Sequence, residues 1–157
     1  MNRRAVVTRV GALALAGMCG LFPGTAGATC QLKSIVGVSF VNYTSSAVLP
    51  LDSDGSISFR CDAQLIPVTI DLSQGSSGSY VSRTLKGPSS SSLNYNLYTD
   101  VTRLLVWGNG LSGTAHYGPV IPLLGADVTL PVYGRIPAGQ SVAAGSYTDT
   151  LVVTMTF

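Results

Sequence analysis

The chain has 157 residues and a formal net charge of only +2, from nine basic and seven acidic residues. The basic residues are scattered, whereas phosphate binding needs a clustered basic surface, so a nucleic-acid partner is disfavoured. All seven acidic residues are aspartates, and 18 glycines accompany many serines and threonines. This composition favours strands and turns over helices.

The N-terminal segment is typical of an export signal. Arginines precede an apolar stretch over residues 12–22, and small residues follow it. The arginines are Arg3, Arg4 and Arg9, and the small residues are Ala26, Gly27 and Ala28. This order predicts a signal peptide over residues 1–28, cleaved after Ala28. Residues 29–157 then suit a single exported domain.

Neither a membrane span nor a lipid anchor is expected. The N-terminal apolar stretch is shorter than the roughly 20 residues that cross a bilayer, and no other segment approaches that length. Lipidation of Cys19 is disfavoured, because Met18 stands where a lipidation site requires a small residue.

Two cysteines, Cys30 and Cys61, remain after the predicted cleavage. In an oxidising compartment such a pair predicts one disulfide. Two free thiols or half of a metal site are the alternatives. Neither has support, because the single histidine, His116, has no closely spaced cysteine or histidine beside it.

Runs of apolar residues at every second position predict half-buried β-strands, about seven in number. The runs are Val36, Val38 and Phe40; Ile57, Phe59 and Cys61; Ile66, Val68, Ile70 and Leu72; Leu93, Tyr95 and Leu97; Leu104 to Trp107; Val128, Leu130 and Val132; and Leu151 to Phe157. In the last run Leu151, Val153, Met155 and Phe157 alternate mainly with threonines, so one apolar row can be buried.

Residues that tolerate positive φ or pre-set a turn separate these runs. They lie at 52–55, 75–78, 87–89, 107–110, 118–119 and 138–140. No segment predicts a long helix. Strands of this number and spacing predict an all-β fold, an antiparallel β-sandwich, with a small barrel as the alternative.

Several blocks of sequence, in order along the chain, resemble one known family. They are the pair Cys30 and Cys61, LDSDGSISFRC at 51–61, LNYNLYTD at 93–100, VWGNG at 106–110, VYGRIPAGQ at 132–140 and GSYTDTLVVTMTF at 145–157. In this combination the chain resembles the spore coat protein U domain family. The resemblance implies a secreted bacterial structural subunit with an immunoglobulin-like sandwich that lacks one strand.

The resemblance also implies partners and a binding groove. The partners are a periplasmic pilus chaperone, an outer-membrane usher of the archaic type and other pilus or coat subunits, and no cofactor is implied. A neighbouring subunit supplies the missing strand by β-strand addition. The groove would have Val36, Val38 and Phe40 on one wall and Leu151, Val153, Met155 and Phe157 on the other. The alternative is that these residues are outer strands of a complete sandwich.

The chain departs from a polymerising subunit at one point. Such a subunit carries an alternating extension before its first cysteine, whereas only Thr29 lies between the predicted cut and Cys30. We therefore expect a tip or accessory subunit that accepts a strand and donates none, or a self-contained spore coat or surface protein. The expected location is the periplasm and then the cell surface.

Motifs for catalysis or metal binding are few, and we expect no enzyme activity and no metal site. His116 lies in a Thr-Ala-His-Tyr-Gly segment without a nucleophile-elbow sequence, so a secreted hydrolase is a minor alternative. Asp52 to Gly55 matches the start of a calcium loop, but the later ligands are missing, and an Asp-Gly turn is favoured.

Aromatic residues give a second alternative, a carbohydrate-binding adhesin module. Exposed rings on a β-sandwich can stack on sugars, but the module requires several rings on one exposed face. The candidates are Tyr95, Tyr98, Trp107, Tyr117 and Tyr133. For Trp107, packing in the core is the favoured role.

Overall fold

The computed structural model describes residues 29–62 and 66–157, so the predicted signal peptide lies outside the described residues. These described residues form eight strands. They are β1 (Cys30–Val36), β2 (Leu51–Cys61), β3 (Val68–Leu72), β4 (Arg83–Lys86), β5 (Ser92–Tyr98), β6 (Tyr117–Val120), β7 (Asp127–Ile136) and β8 (Val153–Thr156). Single 3₁₀ turns lie at Gly75–Ser77 and Pro88–Ser90.

The strands form two antiparallel sheets. The larger sheet has the order β1-β2-β7-β5-β4, and the smaller sheet has the order β6-β3-β8. The two sheets enclose one apolar core, which includes Phe59 from the larger sheet and Ile70 from the smaller. Trp107 also lies in this core, where its Nε1 donates a hydrogen bond to the Ile70 carbonyl at 3.0 Å. The predicted fold class, an all-β antiparallel sandwich, is confirmed.

A disulfide joins Cys30 at the start of β1 to Cys61 at the end of β2. The two cysteines are also direct cross-strand partners. Apart from Cys30, every residue of β1 is exposed. The covalent bond therefore holds an edge strand that buries little of its own surface.

The alternating residues Val38 and Phe40 do not belong to a strand, contrary to the prediction. The strand ends at Val36, and the chain then crosses the inner face of the larger sheet. A Cβ at Gly55 would strike the Val36 carbonyl, and a Cβ at Gly134 would lie 2.6 Å from the Val38 Cγ1 atom. The two glycines thus give the crossing segment its space, and Val38 and Phe40 pack against the core without ladder partners.

Asp52 to Gly55 also differs from the prediction, because these residues lie within β2 and not in a turn. Asp52 accepts two hydrogen bonds from Arg135, at 2.7 and 2.8 Å, and Asp54 accepts one from Arg103 at 3.0 Å. Arginines on neighbouring segments therefore satisfy both carboxylates and permit an extended backbone.

Three further differences concern short elements. The sequence does not predict β4 or β6: β4 has only four residues and includes the buried Arg83, and β6 includes Gly118 and Pro119, which were predicted to break a strand. Residues 104–107 form only isolated bridges, at Val106 and Trp107, and not the predicted strand.

Candidate functional site

One part of the sandwich is incomplete, at the edge where β1 lies. Leu32 pairs with Phe59 and Ile35 pairs with Ile57. Directly opposed residues share a face of the sheet, so Leu32 and Ile35 point toward the core like their buried partners. They are nevertheless 39% and 52% exposed. Within the described residues the inner face of β1 is therefore left partly uncovered.

A cavity of about 210 Å³ lies beside this uncovered face. On one side it is lined by Ile35 and Val36 of β1, and on the other by Val153, the first residue of β8, and by Leu151 just before it. Leu72, Leu97 and Val132 contribute further apolar surface to its lining. The cavity is therefore an apolar gap between the first and last strands of the domain.

The structure brings together five of the seven residues predicted for the strand-acceptor groove. Val36, Val38, Phe40, Leu151 and Val153 line this one cavity. Met155 and Phe157 lie outside its lining, although both pack partly buried against the core from β8 and the residue after it. Leu32, Ile35 and Leu97 were not predicted, and the pairing of β1 with β2 would have been needed to find the first two.

The four sheet edges differ in their protection against pairing with another chain. The edge of β4 is covered, because Lys86 and Thr148 exchange two backbone hydrogen bonds at 2.7 and 2.9 Å. On β1 the register shifts at Lys33, and a bulge and a lysine both discourage edge pairing. On β6, Pro119 removes a backbone donor.

The edge of β8 has no such protection. Its sequence is Val-Thr-Met-Thr, without charge, proline or register shift, and among the described strands it pairs only with β3. It is thus the edge that offers free backbone donors and acceptors, and it adjoins the apolar cavity.

Tyr95 connects the two walls at the bottom of this gap. Its ring packs edge-to-face on Phe40 with 6.1 Å between centroids, and its hydroxyl donates to Asp149 Oδ2 at 2.7 Å. Burial, aided by the hydrogen bond to the Asp149 carboxylate, raises the pKa of Tyr95 well above its ordinary value. The hydroxyl therefore remains protonated and continues to donate over the whole physiological range.

A buried arginine of β4, which the sequence analysis missed, lies directly across from Tyr95 of β5. Arg83 is fully buried and donates to Asn96 Oδ1 at 2.6 Å, to the Trp107 carbonyl at 2.6 Å and twice to the Ser73 carbonyl. Burial lowers the pKa of its guanidinium below the ordinary value. Since its hydrogen-bond acceptors are neutral groups of several elements, Arg83 joins the two sheets structurally.

The predicted alternative of a hydrolase gains no support from the surroundings of His116. Its Nδ1 lies 3.0 Å from Asp71 Oδ1, and within residues 29–62 and 66–157 its ring makes no hydrogen bond to a serine. In the same part of the chain no group of three or more His, Cys, Asp or Glu side chains is placed to hold a metal ion. Nor does any helix there have the length and apolar character that crossing a bilayer requires.

The aromatic residues predicted for sugar binding do not form one exposed face. Trp107 and Tyr95 are buried in the core, as favoured for Trp107, and Tyr117 packs edge-to-face on Phe59. Tyr98 and Tyr133 are cross-strand partners elsewhere, where Arg103 lies over the Tyr133 ring. Three other rings, those of Phe40, Tyr43 and Tyr147, line a second cavity of about 890 Å³.

Comparison with known proteins agrees with this fold. The chain is 38% identical over 148 residues to "Protein U" of Myxococcus xanthus, a match that covers 83% of this chain and 79% of that protein. Its structure is similar to a chain in the crystal structure of the CsuC-CsuE chaperone-tip adhesion subunit pre-assembly complex from archaic chaperone-usher Csu pili of Acinetobacter baumannii. That similarity has a TM-score of 0.54 and 22% identity, and it covers 83% of this chain but only 40% of the other.

The Spore Coat Protein U domain family matches residues 23–154, which include every strand from β1 to β7 and the first half of β8. The blocks from Cys30 to the C-terminal alternating segment lie almost wholly within this range, so the resemblance seen in the sequence is confirmed. The chain belongs to the Spore Coat Protein U domain family.

Proposed function

We propose that the chain is a secreted structural subunit of a bacterial surface assembly, a tip or accessory component of a chaperone-usher pilus, that accepts a strand from a neighbour. One observation carries this proposal. The unprotected edge of β8 adjoins an apolar cavity whose other wall is the uncovered inner face of β1.

An added strand would pair with the unprotected edge of β8 and fill the apolar cavity at the same time. Its backbone would pair with the free edge of β8, and its inward side chains would fill the cavity and cover Ile35. Burial of apolar surface contributes roughly 25 cal/mol per Å², so covering even part of Leu32 and Ile35 supplies a substantial driving force. The three other edges, each covered or interrupted, direct such an addition to β8.

The partners follow from this proposal and from the solved relative. That complex contains a chaperone with a tip adhesion subunit of an archaic pilus. By analogy a periplasmic chaperone occupies the groove before assembly, an outer-membrane usher receives the subunit, and another pilus or coat subunit provides the final strand. The work of the protein is then association at the cell surface and not catalysis.

Thermal unfolding with a strand peptide tests the proposal. The disulfide-bonded protein is heated alone and with a saturating peptide from the N-terminal extension of a co-encoded subunit. A ligand that binds only the folded state at about 100 times its Kd adds about 2.7 kcal/mol of stability, so we expect Tm to rise by roughly 10 °C.

Two controls make the result specific. A peptide of the same length in which proline replaces every second residue cannot complete the ladder, and we expect it to leave Tm unchanged. Val153→Lys places a charge in the cavity and should abolish the peptide effect, whereas Val152→Lys, at an exposed neighbouring position, should retain it. A high Tm that no strand peptide alters would contradict the proposal and favour a self-contained coat or surface protein.

A further inference from the structure

We infer that the larger cavity is a binding site for a neutral saccharide. Its volume is about 890 Å³, within the range of roughly 300–1,000 Å³ that is typical of small-molecule sites. It lies between the segments 38–46 and 142–149, with Leu85 and Ile136 from the larger sheet in its lining. Both segments are loops, the part of a fold that most often carries binding residues.

The charge of the lining excludes an ionic ligand. Among the described lining residues Asp149 is the single charged side chain. Its carboxylate already accepts hydrogen bonds from the Tyr95 hydroxyl at 2.7 Å and from the Ser76 amide at 2.9 Å. The described lining therefore has no basic side chain that could bind an anion. Its single carboxylate, which could bind a cation, already accepts hydrogen bonds from neutral donors.

The polar groups of the lining exclude a purely apolar ligand. Hydroxyl and amide side chains line the cavity at Asn42, Ser45, Ser46, Ser146 and Thr148. An apolar molecule would displace water from these groups without replacing its hydrogen bonds, which is unfavourable. A pyranose ring suits the mixture, because its hydroxyls bond to such side chains while its C–H faces pack on aromatic rings.

Two tyrosine rings in the lining are held in fixed positions. The Tyr147 hydroxyl donates to the Ala143 carbonyl at 2.7 Å, and its ring rests on Gly87, where a Cβ would leave no room for it. The Tyr43 hydroxyl accepts a hydrogen bond from the Gln140 amide at 2.7 Å. Both hydroxyls form a hydrogen bond within the protein, so the rings are pre-organised surfaces for stacking, which reduces the entropic cost of binding.

This site adjoins the proposed strand groove. No residue of β1 or β8 lines the larger cavity, whereas both strands line the smaller one. The two cavities share a boundary formed by Val38, Phe40, Leu85 and Asp149. A strand added to β8 would fill the smaller cavity, and the competition experiment below tests whether the hydroxyl-rich cavity then stays accessible.

Binding to an array of neutral oligosaccharides of glucose, galactose, mannose and N-acetylglucosamine tests the inference, followed by calorimetry with the best binder. Tyr147→Leu removes one stacking surface and should weaken binding roughly tenfold. Ala144→Trp adds a large ring to an exposed position in the lining and should block binding without removing a native contact. Unfolding curves of each variant verify that it is folded.

Control variants place the same changes elsewhere. Tyr133→Leu removes a half-buried ring near Arg103, and Leu123→Trp adds a ring in the loop between β6 and β7, and both should bind like the unaltered protein. Failure of every neutral oligosaccharide on the array overturns the inference. So does competition in which the strand peptide of the previous section displaces the sugar and Ala144→Trp abolishes peptide binding, because the cavity would then be part of the strand groove.

Discussion

Arg83 is the clearest case in which one side chain determines how the sheets are joined. Its guanidinium donates to carbonyls after β3 and at Trp107 and to an amide oxygen of β5. Arg83→Met removes the donors and leaves these buried acceptors unsatisfied, at about 1–3 kcal/mol each. We therefore expect a loss of about 3 kcal/mol or more in the free energy of unfolding, measured by urea denaturation.

Arg60→Met is the matched control for this substitution. Arg60 is exposed, and its contacts with Asp62 and Asp127 are 3.9 and 3.5 Å long. Exposed ion pairs contribute little, so the change should alter stability by about 0.5 kcal/mol or less. Equal losses in the two variants would show that Arg83 has no special structural role.

Asp52 should give the domain a small acid sensitivity. The hydrogen bond from Arg135 holds the pKa of Asp52 below its ordinary value of 3.8. A carboxylate with a lowered folded-state pKa stabilises the fold above the unfolded value, and this contribution is lost as pH falls through the folded-state pKa. Because the pair is partly exposed, its contribution is at most about 1 kcal/mol.

The prediction is a difference in Tm between the unaltered protein and Asp52→Asn that depends on pH. At about pH 6 the variant should melt slightly lower, and the difference should shrink as pH falls below 3.8. Asp62→Asn is the matched control, because it removes an exposed carboxylate whose 3.9 Å contact with Arg60 is too long for a hydrogen bond. A difference that persists undiminished in acid would mean that the asparagine disturbs packing and not charge.

At the scale of elements, the crossing of residues 37–40 over the larger sheet depends on a glycine beneath it. A Cβ at Gly55 would meet the backbone of Val36 and lie 3.0 Å from the Val38 nitrogen. Backbone atoms cannot move aside as a side-chain end can, so Gly55→Ala should cost about 2 kcal/mol by overpacking. Gly37→Ala, where nothing lies within 4 Å, should change unfolding in urea far less.

The same crossing shows what the sequence could and could not predict. Periodicity identified the strands whose alternating residues are buried in the sandwich, such as 57–61, 68–72 and 128–132. Val38 and Phe40 have the same period, but their burial comes from packing over Gly55 and Gly134, which is a tertiary effect. Conversely, β4 was missed because its buried residue is an arginine whose partners come from distant segments.

For the candidate site, the sequence predicted most of the residues that line the smaller cavity but not the arrangement of the strands around it. The alternation at the C-terminus and the residues 36–40 placed five side chains at one cavity. The uncovered inner face of β1 and the cover on the β4 edge depend on strand order, which no local pattern encodes. The rings of Tyr43 and Tyr147 line one cavity only because loops 97 or more residues apart converge there.

At the scale of the whole molecule, the disulfide determines how firmly β1 is attached. The bond closes a loop with a sequence separation of 31 residues, which on the chain-entropy model contributes roughly 3–4 kcal/mol. The double variant Cys30→Ser, Cys61→Ser should lose about this much stability in urea. Because β1 is otherwise exposed, hydrogen exchange should increase first in β1.

A loss of stability spread evenly over all strands, with no early exchange in β1, would contradict this account. Reduction of the native bond in the folded protein offers an independent check, because it introduces no new side chains. Exchange in β3 and β8, which belong to the smaller sheet and not to the sheet that holds both cysteines, should change only with global unfolding.

The unequal protection of the four sheet edges determines how many strands from neighbouring subunits the domain can pair with. A body with two open edges can propagate a chain of strand additions or branch, whereas one with a single open edge forms a closed pair with its donor. Among the described strands β4 is covered, β1 is interrupted by a bulge and β6 by Pro119, which leaves β8 as the unprotected edge. If the proposed strand addition takes place, the described domain would accept one strand and would not join two rows of subunits through its sheet edges.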